Sequence, residues 1–341
     1  MNAATVYKNA TIRPYLVSDV DYYKIPADFA NTFQKAGYAE QQADPIAFLK
    51  KATQQHDTLC RIFTEVAGVA PIRLSAKNGL YDAVFTSDPF ITIAVPEKNG
   101  ELKRLIIPSK FSNTGREPEV AHSMRYLKTL WPDAKIITPT HNIEGSGDNT
   151  YDCFRGVYWS GFKSEEDEEP KENEKNISAG RSDKEAHAVL QSATGIPVHS
   201  IELIGDFFHI DTILCPLPNG HIMVYPGGMT PESFAYFKKT AFEDYGLDPD
   251  EYMIEVSEED AYAYACNARG IDNNVIIPQC SDDHVERLAE SGYKTHQVDV
   301  SCFLASGGGV KCLSHNIGLV HQEGGTSGIV QAMPEHAPIT P

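Results

Sequence analysis

The sequence predicts an α/β fold of five repeated units, arranged as blades around a central axis. Three observations predict it. A helix-like segment with a turn residue near its end runs into a strand-like segment five times, from Leu59, Ser123, Glu185, Glu232 and Asp283. Each unit is followed by a short polar segment rich in reactive side chains. One residue from each segment (Asp88, Glu144, His209, Asn267 and Cys312) gives successive separations of 56, 65, 58 and 45 residues. A near-regular period of this size suits propeller blades, whose loops would converge on one cavity. The competing reading is a non-repetitive α/β domain with chance spacings.

The elements follow in order. "LCRIFTEVAGVAPIRLS" and "SMRYLKTLWPDAKIITP" are the first two helix–strand units, and "EAHAVLQSATGIPVHSIEL" is the third. The fourth starts at Glu232. In the fifth, "DHVERLAESGYKTHQVDV", Val285 and Leu288 share a helical face, Gly292 suits a C-terminal cap, and "HQVDV" alternates as a strand does. The polar segments are "YDAVFTSD", "HNIEGSGD", "FFHIDT", "CNARGIDNN" and "GGGVKC". Residues 1–330 read as one catalytic domain. Within it, "SEEDEEPKENEKN" at 164–176 holds seven acids and two lysines, and reads as a solvated inserted loop. The tail 331–341 reads as disordered.

The chain has 341 residues and a net charge of -18, of which about -13 remains outside the acidic insert. Nucleic acid and anionic membrane both want a basic surface, so neither is expected as a partner. Residues 1–15 lack the apolar core of a secretory signal, and no run is long enough for a membrane helix. Seven scattered cysteines without a CxxC pair fit a reduced chain with no structural zinc, so the cytoplasm is the expected location.

"SGGGVKCLS", Ser306 to Ser314, places three glycines just ahead of Cys312. One reading is a turn entering a strand that buries the thiol; the other is a nucleophile on a loop a ligand must approach closely. Lys311, on an adjacent strand position, would point to the opposite face, so a second group must assist the thiol. His209 can hold or release a proton near neutral pH, although its apolar flanks also suit a core histidine. Asp88 and Asp211 sit in apolar neighbourhoods, where a carboxylate is costly without a cation or several donors. Two of them at one pocket would want a planar multi-donor cation, and a guanidinium fits. His209 and Asp211, two apart, would share a face of a strand. A cysteine protease remains an alternative, but paired acids at the attacked carbon do not serve it. With no HxxxH or HExxH spacing, no metal and no cofactor are expected.

In these residues the sequence resembles the guanidino-modifying superfamily of arginine deiminases, dimethylarginine dimethylaminohydrolases and amidinotransferases, also called penteins. The resemblance runs from about Leu59 to Leu319. "YDAVFTSDPFITI" is similar to the family's "PD.VF..D", "IEGSGD" to its "EGGD", and "FFHIDTILCPLPNGHIMVYP" to its "HLDT…LP.G….YP". "SGGGVKCLS" is similar to its "GGG..C.T". The resemblance implies a five-bladed α/β propeller with a central active site and a small guanidino substrate. It implies that Cys312 attacks the guanidinium carbon, giving an S-alkylthiouronium that water releases as a ureido product such as citrulline. Asp88 and Asp211 would hold the guanidinium nitrogens. His209 would protonate the departing amine and then activate water, with Glu144 orienting it. Asp82 and Arg181 would hold the amino-acid end, and Asn267 would line the pocket. The extra residue in "EGSGD" is expected to displace Asp148 and leave Glu144. "SDVDYYK", Ser18 to Lys24, is the stretch that would serve as a lid. The "SGGGVKCLS" ending and the length resemble the dimethylarginine hydrolase branch. Arginine deiminase, arginine dihydrolase, amidinotransferase and an inactive arginine-ligand binding module are the alternatives. Relatives that hydrolyse arginine twice often have Asn where this chain has Asp88, so the acid implies a single hydrolysis.

Overall fold

The computed structural model describes residues 14–27, 31–68, 70–163 and 180–321. The acidic stretch 164–176 and the tail 331–341 lie outside the described residues. Among the described residues the strands form five three-stranded sheets. Four of them share one order along the chain: an antiparallel hairpin, a helix, and a third strand that returns parallel to the second.

In the second sheet β3 (Phe90–Pro96) pairs with β4 (Leu102–Pro108), and α3 (Glu117–Leu130) leads to β5 (Lys135–Ile136). β6 (Asn149–Asp152), β7 (Val157–Lys163), α4 (Lys184–Thr194) and β8 (Val198–Leu203) repeat the pattern. So do β9 (Leu214–Pro216), β10 (Ile222–Val224), α5 (Pro231–Ala241) and β11 (Met253–Glu255). The fifth sheet holds β12 (Arg269–Ile271), β13 (Asn274–Pro278) and β14 (Lys294–Val298), with α6 (Asp282–Glu290) before its last strand. The first sheet is assembled from both ends of the described chain. β1 (Tyr15–Ser18) pairs parallel with β2 (Ile72–Leu74) across α1 (Phe33–Ala43) and α2 (Pro45–Ala67), and antiparallel with β15 (His315–Asn316). All five helix–strand units read from the sequence are present.

Local chemistry explains the boundaries. α2 buries Phe48, Ala52, Leu59, Ile62 and Phe63, close to the three-to-four-residue spacing of one helical face, and Gly68 closes it at φ 74°. Thr230 and Ser281 cap α5 and α6 by accepting from Ser233 N and His284 N. The central strand β7 is buried along Val157–Phe162, as a strand covered on both faces must be. Burying a large apolar side chain contributes about 1.5–3 kcal/mol. Phe90, Ile91, Trp159, Leu214 and Ile222 are all at 2% exposure or less, so the strands that carry the polar loops are firmly held. No helix of the described residues is long and apolar enough to cross a membrane.

One regularity positions the site. Asp88 lies just before β3, Glu144 before β6, His209 and Asp211 before β9, Asn267 before β12, and Cys312 before β15. Each polar segment therefore enters the antiparallel outer strand of a different sheet. Two local expectations differ from the structure. His209 and Asp211 do not share a strand face: Ile210–Thr212 is a 3-10 turn ahead of β9. Cys312 lies in a turn, not a strand, and ends at Ser314 before β15 begins. In both places the chain turns to deliver polar groups, and apolar alternation carries no signal of such a turn. In the stretch expected as a lid, Ser18 ends β1 and Val20 and Tyr23 are buried, with the Tyr23 hydroxyl donating to Cys302 O at 2.8 Å, while Asp21, Tyr22 and Lys24 are exposed; the stretch is anchored to the core and does not line the cavity that holds Cys312.

Candidate active site

Cys312, His209, Glu144, Asp88, Asp82 and Arg181 line one cavity. Asp211 and Asn267 do not line it; they stand behind the thiol. The loop that carries Cys312 is held by Asn267, whose Oδ1 accepts from Gly309 N and Cys312 N, both at 3.0 Å. Its Nδ2 donates to Cys312 Sγ at 3.1 Å. Gly307 takes φ 94°, a left-handed conformation that favours glycine, where the chain turns toward the thiol.

Cys312 is buried, and Asp211 Oδ2 stands 3.7 Å from its sulfur. Burial, with Asp211 and Asp88 nearby, pushes the thiol well above its ordinary range; Lys311 and the Asn267 bond pull the other way. Lys311 Nζ reaches Asp211 Oδ2 at 3.2 Å and Ser146 O at 3.0 Å. It does not line the cavity, and among the described residues no other cation is paired with the thiol or with Asp211.

His209 Nε2 and Glu144 Oε2 are 2.9 Å apart. Burial alone would lower the imidazole pKa, but the Glu144 bond and the charges of Asp88, Glu144 and Asp148 outweigh it and raise it to about 9. Burial would raise Glu144, but the imidazole, Arg181 and Ser112 hold it at about 2. Ser112 donates to Glu144 Oε1 from both N and Oγ, at 2.9 and 2.7 Å. The pair is therefore an imidazolium and a carboxylate at neutral pH. His209 Nδ1 faces Asp88 Oδ1 at 4.0 Å, and neither atom has a hydrogen-bond partner. A Cβ on Gly147 would stand 2.8 Å from each, so glycine keeps that gap open. Burial raises the Asp88 pKa, against the pull of Arg116, whose Nη1 binds Asp88 Oδ2 at 3.0 Å.

Several site residues carried no sequence signal. Arg116 joins Asp88 to Glu119 and donates to Asp82 O at 3.3 Å, from a turn after β4. Asn31 and Gln34, ahead of and within α1, line the cavity and bind Ser306. Asp148 is not displaced from the site by the extra residue: buried, it accepts from Ile210 N and Ser182 N, tying the His209 segment to the Arg181 segment. Among the described residues no three His, Cys, Asp or Glu side chains form a metal-holding group.

No family model matches the chain. The bifunctional arginine dihydrolase/ornithine cyclodeaminase ArgZ of Synechocystis sp. is 30% identical over 266 residues, 78% of this chain and 33% of that protein. The N(G),N(G)-dimethylarginine dimethylaminohydrolase of Mycobacterium tuberculosis is 29% identical over 273 residues, 77% of this chain and 73% of that protein. The crystal structure of the product-bound N-terminal domain of ArgZ matches with a TM-score of 0.73 at 23% identity, covering 89% of this chain and 97% of that one. The chain has the pentein fold, and its sequence is similar to enzymes of the guanidino-modifying superfamily. Its five small sheets are the pentein arrangement of mixed α/β structure. This pentein spans about a third of the length of the cyanobacterial relatives, 33% in each case.

Proposed function

We propose that this chain is a hydrolase that attacks the guanidinium carbon of arginine or an N-methylated arginine through Cys312. The observation that carries the reading is a buried thiol that shares one cavity with an imidazole–carboxylate pair and the Asp88 carboxylate. Asp88 Oδ1 and His209 Nδ1 have no hydrogen-bond partner, Asp211 stands 3.7 Å from the sulfur, and among the described residues no cation donates to the sulfur. A bound guanidinium would supply positive charge, pair with Asp88, and lower the thiol pKa as it placed its carbon near the sulfur.

The steps follow from the side chains. The thiolate sulfur bonds to the guanidinium carbon. The carbon–nitrogen bond to the leaving amine breaks, and His209, protonated at rest, donates the proton that amine needs. Water then attacks the thiouronium carbon and gives a proton back to His209. The sulfur–carbon bond breaks and the second water proton passes to the departing sulfur, leaving a ureido product and the thiol. Glu144 holds the ring in place and stabilises its charge. Asp88, which lines the cavity, holds the guanidinium nitrogens, Asp211 adds negative charge behind the sulfur, and Asn267 orients the sulfur. Asp82 with Arg116 and Arg181 offers opposite charges for an amino acid's ammonium and carboxylate. We read the five sheets as blades of one closed ring, with these segments at its centre, forming one catalytic domain.

Dimethylarginine hydrolysis is the first reading, since Asp88 is an acid suited to a single hydrolysis. Similarity to ArgZ favours arginine dihydrolysis as the second. Incubation with arginine, dimethylarginine and agmatine, assaying ureido product, ammonia and methylamines, separates the readings. Cys312→Ser is expected to abolish turnover with the fold intact, and a quenched wild-type reaction to carry an adduct on the Cys312 peptide. Full turnover by Cys312→Ser sinks the covalent route.

A further inference from the structure

A second cavity lies behind the catalytic loop and has no part in that reaction. Lys311 lines it; Cys312 does not. Its charged lining residues are Lys311 and Arg269, with no carboxylate, in a chain carrying 47 acidic and 29 basic residues. A cavity with cations and no acid favours an anion.

Two groups in it have a donor to spare. Arg269 donates through Nε to Ser314 Oγ at 3.2 Å, and through Nη2 to Ser87 Oγ at 3.1 Å, Lys311 O at 3.2 Å and Ser314 O. Among the described residues it makes no hydrogen bond through Nη1. Tyr158 is 1% exposed on the central strand β7, and its hydroxyl has no partner. A buried hydroxyl without an acceptor is costly, and a ligand oxygen in the cavity removes that cost. The walls beside these groups are apolar: Ile91, Leu217, Pro218 and Leu319.

We propose that this cavity is a second ligand site that takes the carboxylate of a small organic acid, with Arg269 Nη1 and the Tyr158 hydroxyl on the carboxylate and the apolar body against Leu217 and Leu319. An inorganic oxyanion shares the headgroup chemistry but leaves the apolar walls unused. Occupancy is felt at the thiol. Lys311 precedes Cys312, and its Nζ sits 3.2 Å from the Asp211 carboxylate that lies 3.7 Å from the sulfur. A bound anion competes for the Lys311 charge, leaves Asp211 less compensated, and disfavours the thiolate. The organic acid is therefore an inhibitor that saturating guanidino substrate does not relieve. This coupling rests on the proposed hydrolase reading; the binding does not.

The test is calorimetric titration of the full chain with benzoate and, separately, inorganic phosphate. Saturable benzoate binding that persists with arginine present, and that Tyr158→Phe weakens about fivefold by losing one hydrogen bond, supports the site. Arg269→Lys, which keeps the charge and loses the planar fork, weakens it further, with thermal unfolding reporting whether that variant is folded. No saturable binding, benzoate displaced by arginine, or binding unchanged in a folded Tyr158→Phe protein overturns the site. Phosphate binding tighter than benzoate overturns the organic-acid assignment. A kcat lowered by benzoate in wild type more than in Tyr158→Phe supports the coupling; unchanged kcat with binding retained overturns the coupling alone.

Discussion

Glu144→Gln keeps the size and shape of the side chain and removes the charge opposite His209. The imidazole stands at about 9 against an ordinary 6.5, although burial pulls it down. That difference corresponds to roughly 3 kcal/mol in favour of the imidazolium. Glu144 contributes both a hydrogen bond and a charge, while Asp88 and Asp148 contribute charge alone. Its loss therefore removes the larger part and leaves burial opposed only by Asp88 and Asp148, so His209 falls by about two pH units. The assay is the pH profile of kcat/KM. The proton donor must be charged, so the wild-type alkaline limb is expected near 9 and the variant's about two units lower, with at least a tenfold loss at pH 8. Stability has a matching signature. The His209 contribution is full below 6.5 and is lost as pH rises through about 9. Glu144, held at about 2 against an ordinary 4.5, contributes above 4.5 and loses that contribution as pH falls through about 2. Urea unfolding of wild type is expected to show both slopes, and the variant neither. An alkaline limb that stays near 9 in Glu144→Gln refutes the assignment of the proton to this pair.

Two further changes probe the surroundings. Gly147→Ala puts a methyl 2.8 Å from both Asp88 Oδ1 and His209 Nδ1; turnover is expected to fall at least about a hundredfold while circular dichroism is unchanged. Asn267→Ala leaves the Gly309 and Cys312 amides without their acceptor, costing about 2–4 kcal/mol in chemical unfolding. Its kcat is expected to fall more than KM rises, because the sulfur loses its orientation while Asp88, which holds the cation, remains.

The repeat was legible because each unit has its own local signals: a helical face, a glycine or serine cap, and a strand. The motif residues were legible because burying acids beside a thiol has few chemical justifications. Arg116 was not, since nothing in "SNTGREPEV" distinguishes an arginine that crosses to Asp88 from one that serves a helix start. Lys311 was excluded by strand geometry that does not apply in a turn, yet it is the cation balancing Asp211. Asn31 and Gln34 reach the cavity through bonds to Ser306, more than 270 positions away, a distance that local pattern does not bridge. His209 lines the cavity with Asp88, Glu144 and Cys312, but it does not share a strand face with Asp211, because period-two reasoning fails in a 3-10 turn.

The pairing of Leu16 with His315 carries a consequence for biosynthesis. The segment bearing the reactive sulfur is seated by a strand that leaves the ribosome nearly three hundred positions after its mate. Four sheets can assemble while translation proceeds, but β1 waits with a bare edge until β15 arrives. A nascent chain stalled before Asn316 thus holds the imidazole and the acids without an anchored thiol, and chemistry begins only when the two distant segments meet.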